Sequence, residues 1–365
     1  MKTTGDYISR TGESMLGFGA MRLPDDAETA KMVDAYIESG GMYFDTAYIY
    51  AGSEERLKKT LVKRHPRSSF FMANKLPPWE ISQESDCDMI FETQLARTGL
   101  DYFDYYLVHS LDENREKMVE DFGLFEYVSN LKKKGSVRHV GFSFHGGTEY
   151  LDRLLARHKD VVEFVQLQLN YVDILRGPAG EWLDVANKHG VPVIVMEPVK
   201  GGTLAKLPEA AEKLFLEYDG SRSIASWAVQ YAACLEGVTC LLSGMSNMEQ
   251  MLDNIKTYSS LKPLSDEEMG LIEKVLGELS KVSSIPCTAC RYCVKDCPME
   301  IDIAACFSMY NELKRGGSEG WNRKMMYRTL PKKASDCTGC GACLSHCPQR
   351  IDIPKEMAVV AKEMV

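Results

Sequence analysis

No stretch of the 365 residues approaches the ~18 consecutive apolar positions of a membrane helix; the longest apolar runs, such as VPVIVMEPV, are strand-sized. The opening residues, MKTTGDYISRTGES, are polar and lack the apolar centre of a secretion signal. A cytoplasmic location without a membrane partner is therefore expected. Basic residues are outnumbered: 43 Lys+Arg against 52 Asp+Glu leave a net charge of -9, which argues against nucleic acid as a partner. The glycine fingerprint of an open dinucleotide-binding sheet is also missing. The nearest stretch, GFGAMR from Gly17, lacks the third glycine and runs into Arg-Leu-Pro rather than a helix. The residues after Lys281 are short of strand pattern altogether.

What is present before residue 280 is a regular alternation. Eight strand-like runs, MLGFGAM, MYFDTA, SFFMANKL, YYLVHS, VRHVGFSF, FVQLQLN, VPVIVMEP and TCLLSG, are separated by helical patterns such as AETAKMVDAYIES, EERLKKTLVKR and SDCDMIFETQLARTG. Eight strands alternating with helices over about 250 residues predict an α/β fold, a TIM (β/α)8 barrel. The pattern LSDEEMGLIEKVLGELSKVSSIP, with Ser265 as cap, predicts a final helix followed by a linker. The division expected is a barrel over 1-280 and a small, mainly α-helical domain over 281-365, with helices at AACFSMYNELKR and GWNRKMMYRTL.

Twelve cysteines in such a chain speak for metal rather than for a disulfide framework. Eight of them fall in two phrases, CTACRYCVKDCPMEIDI from Cys287 and CTGCGACLSHCPQRIDI from Cys337, which align as CTxCxxCxxxCPxxIDI. The remaining four, Cys87, Cys234, Cys240 and Cys306, are scattered and read as small buried hydrophobes. The spacing C-x2-C-x2-C-x3-C-P places three thiolates on one iron-sulfur cube and sends the fourth, before proline, to the other cube. One [4Fe-4S] cluster is thus expected on Cys287, Cys290, Cys293 and Cys347, and a second on Cys337, Cys340, Cys343 and Cys297. Pro298 and Pro348 turn the chain after each phrase. Paired zinc knuckles are the plainer alternative, but four closed ligands per zinc leave the third step and the Cys-Pro unexplained. From Lys281 onward 13 Lys+Arg face 9 Asp+Glu, an excess of +4. An oxidised cluster on four thiolates carries about -2, so two clusters would cancel that excess.

Functional groups of a barrel of this kind come from the carboxyl ends of its strands. Asp45 ends the second run and Tyr50 follows on its loop; Lys75 ends the third and His109 the fourth. Each alone has a structural explanation, a packed tyrosine or a satisfied histidine, but the four together suit carbonyl reduction. A phenol of pKa about 10 is a poor acid at neutral pH. A nearby ammonium favours its phenolate, and a carboxylate keeps that ammonium charged and in place. Tyr50 would then protonate the oxygen, and His109 would orient the carbonyl by a hydrogen bond.

FDTAYIYAGSE, NKLP, YYLVHS and GFSFHG, in this order, resemble the aldo-keto reductases over residues from about 15 to 280. The resemblance implies a TIM barrel that binds NADPH without a Rossmann fold and a catalytic set at Asp45, Tyr50, Lys75 and His109. It also implies cofactor contacts from Ser143, Gln166, Met196 and Pro198, from the turn at Gly201, Gly202 and Leu204, and from Ser243, Gly244, Ser246, Gln250, Asp253 and Asn254. Four positions depart from the family. Phe144 stands where an Asn usually pairs with Ser143, Met196 replaces an aromatic, and Gly244 and Gln250 stand where many relatives carry Lys or Arg for the 2'-phosphate. Either NADPH or NADH is therefore expected. The tail resembles helical ferredoxin domains of multi-domain oxidoreductases, and the whole chain resembles the subgroup of the family with a C-terminal iron-sulfur domain.

Hydride chemistry moves two electrons at once and each cluster moves one, and no flavin motif is present. Three roles for the tail follow. The clusters relay electrons between a carbonyl reductase and an external ferredoxin or flavodoxin; or they feed the barrel site and nicotinamide is secondary; or they brace the tail and sense oxygen.

Overall fold

The computed structural model describes residues 15–282, 284–315 and 320–364. Each of the eight apolar runs falls on one strand: β1 (Met15–Gly19), β2 (Tyr43–Asp45), β3 (Phe71–Leu76), β4 (Phe103–Leu111), β5 (Val137–Phe144), β6 (Phe164–Gln168), β7 (Val193–Met196) and β8 (Val238–Ser243). They pair in parallel in chain order, and β8 closes on β1. The eight-stranded barrel expected from the alternation is what forms. Its strands are almost continuously apolar because helices cover the outer face while the inner face fills the lumen.

The period of two along each strand decides what the lumen contains. Tyr43, Phe71, Tyr105, Phe164, Ile194 and Cys240 pack against one another as its apolar floor. Two or four residues further along the same faces stand Asp45, Lys75, His109, Gln166 and Met196. The chain thus changes from apolar to polar at the carboxyl ends of the strands. One irregularity re-aims a rim residue: between Val108 and Leu111, β4 carries one more residue than β5, and this bulge contains His109 and Ser110.

Packing divides the described chain into two compact units, one of residues up to Pro198 with Ala228–Leu264, the other of Val199–Trp227 with residues from Ser265 onward. This grouping differs from a single cut near residue 280, and its cause lies in the segment after β7. The helix Glu209–Asp219 packs on the helix Asp266–Leu279. Arg222 pairs with Glu268 at 2.8 Å, and its guanidinium lies 3.6 Å over the Trp227 ring. Ser265 caps the second helix, sharing a capping box with Glu268.

The second unit has helices at Ile303–Arg315, Gly320–Arg328 and Ile353–Glu363, and among its described residues no strand. The repeated IDI explains itself here. Ile301, Ile303, Ile351 and Ile353 enter one core with Phe307, Tyr310 and Met357. Asp302 and Asp352 cap the helices that follow, accepting from the backbone N–H of Ala305 at 3.0 Å and Lys355 at 3.3 Å. The two cysteine phrases also share their backbone. Left-handed φ recurs at Ala289 and Gly339, Arg291 and Gly341, and Glu300 and Arg350, pairs fifty positions apart. The second copy meets two of these turns with glycine, whereas the first holds Ala289 and Arg291 in a conformation costly for a side chain.

Candidate active site and cluster-binding loops

The rim of the barrel is built around a buried charge pair. Lys75, fully buried on β3, donates from Nζ to Asp45 Oδ1 at 2.5 Å and to the Thr46 carbonyl at 2.8 Å. Gln166 Nε2 donates to the other oxygen of Asp45 at 3.1 Å. Burial lowers the Lys75 pKa, and Asp45 opposes that fall. The Lys75 ammonium lies 4.8 Å from the centre of the Tyr50 ring. Tyr50 stands on a turn closed by its own N–H to the Ala47 carbonyl at 2.9 Å and by Ser53 N–H to its carbonyl at 3.0 Å. The ring of His109 lies 6.0 Å from that of Tyr50, edge to face. Asp45, Tyr50, Lys75 and His109 are thus brought together on one rim.

His109 is held well below the ordinary histidine pKa, first by burial and then by the charges of Lys75, His145 and Arg115. At neutral pH it is an uncharged imidazole, able to donate one hydrogen bond but not to serve as a proton reservoir. The residue after it, Ser110, takes a left-handed φ of 55° and donates its N–H to Ser143 Oγ at 2.7 Å. Ser143 therefore steadies the bulge that carries His109.

Two features of this rim escape the sequence patterns. Trp79, four residues beyond Lys75, sets its ring 5.3 Å from that of His109, and the Arg115 guanidinium lies 5.0 Å from the Trp79 ring. Arg115 is itself paired with Asp112. Behind β3, the outward Asn74 takes a hydrogen bond from Gln94 at 2.7 Å and donates to the buried Glu54 at 2.7 Å, while Tyr106 donates to Gln94 at 2.6 Å. Polar residues on the outward face of an apolar strand are the signal for such a network, which fixes β3 behind Lys75.

The remaining candidates in this unit fall in two places. Phe144 is fully buried and meets Trp182 at 5.9 Å edge to face, so its ring is part of the core. Met196 ends β7 half-buried, and Glu197 and Pro198 follow, Glu197 with a φ of 53°. At the end of β8, Ser243 accepts from Asn254 Nδ2 at 2.8 Å, and beyond it Gln250 Oε1 accepts from Ser246 N–H at 2.8 Å. Ser246 Oγ donates to the Gly244 carbonyl at 3.2 Å, and Asp253 stands half-buried beside Asn254.

In the other unit, Lys200, Gly201 and Gly202 have φ of 49°, 63° and 98°, three left-handed residues in succession. They form a turn that ends on the buried Leu204. Gly201 allows a close approach: a Cβ there would stand 2.6 Å from the backbone of Thr288. Thr288 belongs to the first cysteine phrase.

The eight cysteines form two rings. Cys287, Cys290, Cys293 and Cys347 line one pocket with Phe307, Ile351 and Ile353. Cys297, Cys337, Cys340 and Cys343 line another with Ile301, Pro354 and Met357. In each ring three thiols come from one phrase and the fourth from the residue before the proline of the other. Burial, with Cys337, Cys340 and Cys297 beside it, pushes the Cys343 thiol up to about 11. A metal held by such thiols would supply the positive charge that ionises them. Cys87, Cys240 and Cys306 are buried, and Cys234 is half-buried.

The family model described as Aldo/keto reductase family matches residues 15–276, and that of the 4Fe-4S dicluster domain matches residues 286–351. An aldo-keto reductase of Mycolicibacterium smegmatis is 28% identical over 53% of this chain and 66% of its own length, so the match spans just under two thirds of that relative. Among solved structures, the holo form of an aldo-keto reductase from Bacillus halodurans aligns with a TM-score of 0.60 at 27% identity, over 72% of this chain and 92% of its own. An aldo/keto reductase from Klebsiella pneumoniae, solved with NADP and acetate, aligns with a TM-score of 0.58 at 21% identity, over 71% of this chain and 90% of its own.

Proposed function

The chain belongs to the aldo/keto reductase family, and from that premise we propose that its barrel reduces the carbonyl of an aldehyde, ketone or sugar-like substrate with NADPH or NADH. The observation that carries this reading is the Asp45–Lys75–Tyr50 arrangement with the neutral His109 beside it. When bound, the nicotinamide supplies the hydride that goes to the carbonyl carbon. The protein's part is the proton. Tyr50 O–H gives its proton to the carbonyl oxygen, and the Lys75 ammonium stabilises the phenolate left behind. Asp45 keeps that ammonium charged in a site where burial favours its loss. His109, uncharged, donates a hydrogen bond to the same oxygen and fixes its direction.

Ser143, Gln166, Met196 and Pro198 are the proposed nicotinamide contacts. Gly201, Gly202 and Leu204 take the pyrophosphate, and Ser243, Gly244, Ser246, Gln250, Asp253 and Asn254 the adenosine. Gln166 and Ser143 already serve Asp45 and the Ser110 N–H, so they act on the rim as well as on a ligand. The functional division lies near residue 280. Beyond it, each of the two thiol rings would hold one [4Fe-4S] cluster, and a cluster so held would supply one-electron transfer. An external ferredoxin or flavodoxin in the cytoplasm is their exchange partner. Anaerobic holoprotein mixed with NADPH or NADH and a panel of aldehydes, ketones and aldoses should oxidise one dinucleotide in proportion to alcohol formed. Failure to oxidise either with any member would remove the reductase reading.

A further inference from the structure

The family's usual cations near the adenosine phosphate are missing here: Gly244 is exposed with open space around it, and the amide of Gln250 is turned back onto the Ser246 N–H. The turn Lys200–Ala205, by contrast, meets a cation from the iron-sulfur tail. Arg315, at the end of the helix Ile303–Arg315, donates from its guanidinium to Thr203 Oγ1 at 3.4 Å. Turn and helix belong to the same compact unit.

Arg315 is unusual among the arginines. It is half-buried, and burial works against its charge. Among the described residues no carboxylate stands within ion-pair distance of it; the charge of Glu312 favours the cation, but that carboxylate is itself paired with Arg323 Nε at 2.5 Å. A guanidinium withdrawn from water without a carboxylate is costly unless an anion completes it. Three consecutive left-handed residues, Lys200 to Gly202, curl the chain into a tight turn closed by the N–H groups of Gly202 and Leu204, both donated to the Val199 carbonyl at 3.0 Å. One side of that turn is filled, since Gly201 lies against Thr288; the other is open, since a Cβ on Gly202 would meet nothing within 4 Å.

We propose that Arg315, carried by the iron-sulfur tail, is the cation that binds the phosphate group seated on the Lys200–Ala205 turn. The inference rests on the reading of that turn as a phosphate site and adds the residue that supplies its charge. In the holoprotein the tail is then part of the phosphate site, and Thr288 and Arg315 hold the turn from the first cysteine phrase and from the helix between the two phrases. The ligand is a phosphate ester or anhydride, either the pyrophosphate of a dinucleotide or the phosphate of a smaller molecule.

The test is equilibrium binding of NADPH, NADH and inorganic pyrophosphate to anaerobic holoprotein, with iron content and cluster absorbance as controls on folding. Arg315→Ala should weaken binding about 10- to 100-fold, the range of a lost charge-assisted hydrogen bond, and flatten its dependence on salt. Arg315→Lys should restore part of the loss and all of the salt dependence, and Thr203→Val, which frees the guanidinium, should cost a smaller factor. Should Arg315→Ala lose iron, the Lys and Val variants carry the same reading. Dinucleotide binding that is tight in the wild type and equally tight in all three variants overturns the proposal while leaving the reductase reading intact. Arg315-dependent binding of pyrophosphate without binding of either dinucleotide upholds the proposal and overturns the nicotinamide reading. Binding of none of the probes overturns both.

Discussion

Asp45→Asn isolates the charge pair at the centre of the rim, because it keeps the shape of the side chain and removes only its charge. In the wild type Lys75 is 0% exposed, and its ammonium meets Asp45 and one backbone carbonyl. Without the carboxylate, an uncompensated buried charge costs about 3–5 kcal/mol. The cost has a ceiling, because the ammonium can give up its proton. At pH 7 that takes about 3.4 pKa units from a free value near 10.4, or about 4.6 kcal/mol. The sign with pH follows from linkage. Once Lys75 is neutral in the folded variant, the unfolded chain binds one more proton, and stability rises with pH by about 1.4 kcal/mol per unit. In the wild type this rise starts only above the higher folded pKa that Asp45 maintains. The deficit of Asp45→Asn should therefore be largest near pH 7 and shrink by about 1.4 kcal/mol per unit until both lysines are neutral. Anaerobic guanidinium unfolding of the two proteins at pH 7, 8 and 9 measures it. Carbonyl reduction at pH 7 should fall by about 100-fold or more, since a neutral lysine no longer favours the phenolate. A deficit that stays constant with pH, or that is absent, would refute the view that Asp45 exists to keep Lys75 charged.

Four further outcomes are expected. His109 is held below its free pKa near 6.5, so its contribution is full above that pH. The contribution declines by at most about 1.4 kcal/mol per unit below it. Urea titrations at pH 7 and 5.5 should show this acid slope reduced in His109→Gln. Gly201→Ala, which drives a Cβ into the Thr288 backbone, should lower thermal stability by about 1–3 kcal/mol more than Gly202→Ala, whose Cβ meets open space. Cys287→Ser with Cys347→Ser should lose no more iron than either change alone, whereas Cys287→Ser with Cys297→Ser should lose nearly all of it; equal losses in the two pairs would contradict the crossed thiol rings. Phe144→Asn buries an amide against Trp182. It should cost about 3–5 kcal/mol in a thermal melt, the range for losing a core aromatic, and tighten no dinucleotide.

The eight strands are legible in the sequence because a closed parallel barrel buries both faces of each strand, leaving eight uninterrupted apolar runs. The rim is legible for a related reason: Asp45, Lys75 and His109 are the polar residues that end such runs. The cysteine rings follow from spacing alone, the fourth ligand being marked by its proline. What escapes is what depends on the third dimension. Nothing in the pattern shows that Val199–Trp227 packs with the tail, since its helix is amphipathic in the ordinary way and the partner helix lies far along the chain. Nor does the pattern say which way Phe144 points, because either face of β5 can accept an aromatic. Ala289 and Arg291 hide the left-handed turns that their counterparts Gly339 and Gly341 advertise.

The most direct measurement on the central claim is single-turnover carbonyl reduction by anaerobic Tyr50→Phe holoprotein, read as dinucleotide oxidation against the wild type, with dinucleotide affinity measured in parallel. The account predicts a hydride step slower by about 100- to 10,000-fold, the range for losing a positioned proton donor, at little-changed affinity. A Tyr50→Phe protein that turns over at the wild-type rate would contradict it.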